Sequence, residues 1–276
     1  MTTPEVWCGV DAARCTSAAL GTAVGWAIAP VFGVVSLLRH ARTFHPRGPI
    51  YHAVVARHLE APPELGPLAD RLTGAALVRW SGALWKRSQK LPDVLGCAVR
   101  FRASDRDTAT PRRGDQDLLF ATIRRPWTMP SSPFTTKVRD YLANSFYAVS
   151  PFDVGLGHRV YLRLRPVLPP QRGNGGRDAR LERATERGEA TLDLAVGKGP
   201  FGPWSPLVRL RLVREAHVDG EALRFDPFRD GRGLRPRGFI HALRRGVYRL
   251  SQRARPRSQE GSASNGASRA SGTRVA

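Results

Sequence analysis

The sequence predicts an α+β fold: an antiparallel β-sheet or barrel with flanking helices. Three observations carry that reading. Seven short apolar or alternating runs recur along the chain. Most of their connections are rich in turn residues, and no regular strand-helix alternation separates them. Two of the runs, "RVYLRLR" and "VRLRL", alternate strictly, with an apolar face opposite an arginine-rich one.

In chain order, the segment between Arg14 and Arg39 comes first. It holds no charged residue and is long enough to cross a bilayer. It is rich in Ala and Gly, and Pro30 interrupts it. A membrane anchor, a packed N-terminal helix and a signal peptide all fit this stretch. Glu5 and Asp11 precede it where a signal peptide would carry basic residues. Arg39, Arg42 and Arg47 follow it, so a spanning segment over 16–38 would leave the main domain on the cytoplasmic side. Strands are then expected at 49–57, 75–81, 94–102, 117–123, 159–165, 189–196 and 206–213. "SPFTTKVRDYLANSF" reads as a helix between the fourth and fifth strands, with Ser131 or Ser132 as its cap. "LPPQRGNGGRDAR", 168–180, reads as a loop, and "GKGPFG", 197–202, as a hairpin turn. "PRGFIHALRRGVYRLSQRAR", 236–255, is a basic helix. The Ser-, Gly- and Arg-rich residues from Pro256 onward have the composition of a disordered tail. The domain division expected is therefore 1–39, 40–255 and 256–276.

The formal net charge is +21, from 44 Lys and Arg against 23 Asp and Glu. Lys86, Lys90, Lys137 and Lys198 are the only lysines, so the excess is arginine. It suits an anionic ligand, lipid surface or nucleic acid, but no recognisable nucleic-acid module accompanies it. Cys8, Cys15 and Cys97 form no CxxC and no metal spacing, which fits a reducing compartment. Asp115 and Asp117 share a strand face and are expected to pair with arginines. His40, His52, His58, His158, His217 and His241 have no metal spacing around them.

Two motifs carry chemistry. "RTFHPRG" sets His45 between Arg42 and Arg47 just before the first strand. The imidazole there must stay neutral while the guanidinium groups hold something anionic. In the 236–255 helix, Arg244 and Tyr248 lie one turn apart, so the guanidinium can favour the phenolate. A phenolate is a hard ligand for ferric iron, and tyrosine is an attested haem ligand.

Taken together, these blocks resemble the haem catalase family and its smaller catalase-like relatives over roughly 40–255. "RTFHPRG" is similar to the family's R-x-x-H-A-R/K-G, "LVRWS" to V-R-F-S, and "LPDVLGCAVRF" to D-P-R-G-F-A-V-K-F. "FDPF", 225–228, is similar to the segment before the proximal helix. "RRGVYRLSQRAR" keeps the spacing R-x-x-x-Y-x-x-x-x-x-x-R. The resemblance implies a catalase-like barrel with a C-terminal proximal helix. It implies haem held through Tyr248, with Arg244 stabilising the phenolate and Arg42, Arg79 and Arg255 on the propionates. His45 becomes the distal base and Ser81 the hydroxyl that bonds it; Phe134 flanks the haem. Hydrogen peroxide or organic and lipid hydroperoxides become the substrates. The chain departs from the family at "LLFAT", where Thr122 or Ala121 stands in place of the distal asparagine. Phe44 also replaces a smaller residue. A catalase-fold protein without peroxide activity, binding a lipid or protein partner at a membrane, is the alternative.

Overall fold

The computed structural model describes residues 48–237, apart from 84, 86–88, 149, 169–173 and 221. Its strands are β1 (Ile50–Arg57), β2 (Gly74–Gly82), β3 (Leu95–Arg102), β4 (Gln116–Ala121), β5 (Phe146–Ala148), β6 (Phe152–Asp153), β7 (Arg159–Pro166), β8 (Thr191–Gly197), β9 (Trp204–Glu215) and β10 (Arg235–Pro236). All pairings are antiparallel. They run β5-β4-β3-β2-β1-β9-β8, and β7 pairs with both β5 and β8. That second pairing closes eight strands into a barrel. The short β6 and β10 extend the sheet from the far end of β7.

Alternation explains why these runs become staves. Val160, Leu162 and Leu164 of β7, and Val208, Leu210 and Leu212 of β9, are all buried. The arginines between them face outward, as the period of two requires. Tyr51, Ala53 and Val55 turn inward from β1, and Trp80, Cys97 and Phe120 meet in register across β2, β3 and β4. Trp80 is fully buried, with the Tyr141 ring 5.0 Å away and the Phe146 ring 5.3 Å away. The barrel is thus filled by side chains. A bulge between Leu194 and Ala195 bends the β8–β9 hairpin, and another follows His52 in β1.

The seven expected strands are all present. Three short ones, β5, β6 and β10, are additional. The helix expected after Ser131 is not formed as one piece. Its residues give α2 (Ser132–Thr135), a 3-10 turn at Tyr141–Ala143, and then β5. Local polar groups explain this. Ser131 and Ser132 donate their hydroxyls to the Thr128 carbonyl instead of capping, and Thr136 donates to Ser132 O. Asn144 then clasps the chain by bonding Lys137 N and O and Asp140 O. The loop expected over 168–180 ends early, because α3 (Arg177–Glu186) begins within it. Its N-cap, Gly176, offers no side chain; the Arg177 amide donates instead to Gln89 Oε1 at 2.7 Å. A further helix, α1 (Gly66–Leu72), presses Leu68, Ala69 and Leu72 into the core beside β1. "GKGPFG" is the β8–β9 turn, as expected. The segments 16–38 and 238–276, with the expected basic helix and tail, lie outside the described residues; Pro236 itself belongs to β10. Among the described residues no helix is long and apolar enough to cross a membrane.

Candidate functional site on the outer wall of the barrel

The site-bearing strands β1 to β4 register their outward residues in rows. Ile50, Arg79, Ala98 and Leu119 form one row, and Ser81, Gly96 and Ala121 the next. Arg79 and Ser81 therefore share a face, as their spacing of two demands. Ala98 and Leu119 are half-buried, while Ser81, Gly96 and Ala121 are buried. Val94, Ile123 and Met129 pack with Ala121, so that end of the face is covered by apolar side chains.

Gly48 fixes how the chain arrives at this wall. A Cβ there would fall 1.8 Å from the Trp80 carbonyl oxygen. Only glycine allows this approach, and the Trp80 amide then donates to Pro49 O at 3.1 Å. The last residue of the R-x-x-H-x-R-G motif is thereby pressed between Arg79 and Ser81 on the backbone of β2. His45 lies three residues upstream of it, outside the described residues, as do Arg42, Arg244, Tyr248 and Arg255.

Arg79 is half-buried. Its Nη1 donates to Gly220 O at 3.3 Å and Leu223 O at 3.1 Å. Burial draws its pKa below the usual guanidinium value. These bonds tie Gly220 and Leu223 to the wall, where Ala216 and Leu223 pack with Ile50 and Leu77. Thr122 is committed to structure: Oγ1 accepts the Leu95 amide at 3.1 Å and lies 2.8 Å from Thr136 Oγ1. Phe134 is 77% exposed on α2.

Two ion-pair clusters lie apart from these residues, one expected in kind and one not. Asp117 meets Arg100 through two bonds of 2.7 and 3.0 Å, with both side chains fully buried, and also takes Arg229 Nε at 3.1 Å. The expected carboxylate-arginine pairing thus holds for Asp117, while Asp115 Oδ2 accepts the Arg112 amide. Buried His52 bonds Asp107 through Nε2, and Asp107 also takes Arg214 Nη1 at 3.3 Å. The His52 contact holds the Asp107 carboxyl below its ordinary pKa. Asp107 comes from a loop 55 residues away, so no local motif announces the pair. Among the described residues, no group of three or more His, Cys, Asp or Glu is arranged to hold a metal ion.

Fold and face together define a closed antiparallel barrel of the α+β class with a basic, partly apolar outer wall. No family model and no curated protein matches the chain.

Proposed function

We propose that this is a catalase-like haem protein acting on hydrogen peroxide or on organic and lipid hydroperoxides. One observation carries the reading. The barrel sets Gly48, the end of the R-x-x-H-x-R-G motif, against the backbone of β2 where Arg79 and Ser81 share a face. Residues of the described wall fit a haem edge. Half-buried Ala98 and Leu119 offer apolar contact, and Arg79 brings a cation for a carboxylate.

When bound, ferric haem supplies the centre at which a peroxide O–O bond is cleaved. The chain's own groups do the rest. A neutral His45 imidazole would accept a peroxide proton and return it to the leaving oxygen. The Ser81 hydroxyl orients that imidazole. Arg42, Arg79 and Arg255 would pair with the two propionates. Tyr248 would hold the haem iron, its phenolate favoured by Arg244.

A second reading, a barrel that has lost peroxide chemistry and holds another ligand, draws on Thr122. Its hydroxyl already serves Leu95 and Thr136, so it is a poor substitute for an amide that orients peroxide. The absorbance spectrum of protein from haem-supplemented cells separates the two. A Soret band lost or shifted in Tyr248→Phe supports the first; a folded, colourless protein sinks it. In haem-loaded protein, His45→Gln should keep the band while slowing peroxide turnover by about a hundredfold or more.

A further inference from the structure

Away from the β1–β4 face, aromatic rings and guanidinium groups crowd a second part of the outer wall. The β8–β9 turn presents Phe201, 57% exposed, and the 3-10 turn Pro126–Thr128 presents Trp127, 58% exposed. Arg125 joins them, its Cζ lying 3.6 Å from the Phe201 ring centre and 5.5 Å from that of Trp127. Beside them, Arg163 of β7 lies 4.8 Å over Trp204, and Trp204 is 6.1 Å from Tyr147 of β5.

Charge at this patch is uncompensated. Elsewhere on the surface Arg57, Arg187, Arg209 and Arg214 each face a carboxylate. Among the described residues no carboxylate lies within ion-pair distance of Arg124, Arg125 or Arg163. The two exposed rings stand on turns. Gly199, Pro200, Gly202 and Pro203 shape one turn. In the other, Thr128 Oγ1 accepts the Arg125 amide and donates to the Arg125 carbonyl.

We propose that this patch docks on the surface of an anionic lipid bilayer. Trp127 and Phe201 enter the interfacial region while Arg124, Arg125 and Arg163 meet the lipid phosphates. Aromatic side chains at headgroup depth, flanked by cations, are the arrangement such an interface favours. A single-stranded nucleic acid suits the patch less well. Successive bases need bare ring faces, and here guanidinium groups already lie over Phe201 and Trp204. The proposal is independent of haem.

The test uses the full chain and vesicles of phosphatidylcholine alone or mixed with phosphatidylglycerol. The apolar 16–38 stretch remains in every protein, so only differences between variants are read. Wild type should sediment with the anionic vesicles more strongly than with neutral ones, and less as salt rises. Trp127→Ser with Phe201→Ser should weaken anionic binding about tenfold, and Arg125→Gln about fivefold. As a readout insensitive to folding defects, Trp127→Phe should lose part of the tryptophan quenching by headgroup-spin-labelled lipid. Unchanged affinity in the double variant overturns the proposal. So does unchanged quenching in Trp127→Phe, or tighter binding to oligothymidine that the same variants abolish.

Discussion

At the scale of single residues, Arg100 and Asp117 show how much this barrel wall depends on one ion pair. Both side chains are wholly buried, and Asp117 also accepts the Asp226 amide at 2.8 Å. Removing one partner strands the other away from water. Asp117→Asn should therefore cost about 3–5 kcal/mol in a urea titration, and Arg100→Met with Asp117→Leu should cost markedly less. Gly48→Ala tests the backbone approach to Trp80, since the added methyl meets a carbonyl oxygen that cannot swing aside. A lowered melting temperature is expected even though alanine is otherwise a mild change. Acid response follows from two carboxyls of opposite sign. Asp107 is held below its ordinary pKa by His52. Its contribution is complete above the unfolded carboxylate pKa and is lost as pH falls through the folded one. Burial raises Asp140, so its ionisation costs stability at neutral pH, and acid relieves that cost. Asp107→Asn should flatten the acid limb of a stability-against-pH curve, and Asp140→Asn should steepen it.

Among the elements, the staves were the most legible part. In "RVYLRLR" and "VRLRLV" period two leaves no other way to hide valine and leucine while wetting arginine, and β7 and β9 follow it. The helices were harder, for two different reasons. The Ser and Thr residues after Met129 have a helical pattern, but their hydroxyls bond nearby carbonyls and hold the chain to one turn. The start of α3 was hidden because its cap comes from Gln89, distant in sequence. Gln89→Ala should therefore lower stability by about 1 kcal/mol, although Gln89 belongs to another loop. Of the candidate site, Arg79 and Ser81 came from the resemblance of "LVRWS" to V-R-F-S, and the strand register puts both on one face. That Thr122 would spend its hydroxyl on the Leu95 amide depends on β3–β4 register, which no local pattern states.

For the whole molecule, closure is the main fact. Cys97 sits inside the ring, 2% exposed, and burial raises its thiol pKa well above the ordinary value. With Cys8 and Cys15 changed to serine, Cys97 should react with a thiol reagent only as fast as the barrel opens. Where it opens first follows from the length of β5. Among the described residues that stave meets β4 through Phe120–Ala148 and Ala121–Tyr147, and β7 through Phe146–Leu164 and Tyr147–Arg163. By contrast, β2 and β3 stay paired from Ala75–Arg102 to Gly82–Leu95. A ring has no free edge at which to fray, so its thinnest seam takes that role. The amides of β5 should exchange with deuterium ahead of those of β2 and β3. Tyr147 and Arg163 lie on that seam and also belong to the aromatic and basic patch. A surface bound there would clamp the seam, and slower β5 exchange would record the docking from within the barrel.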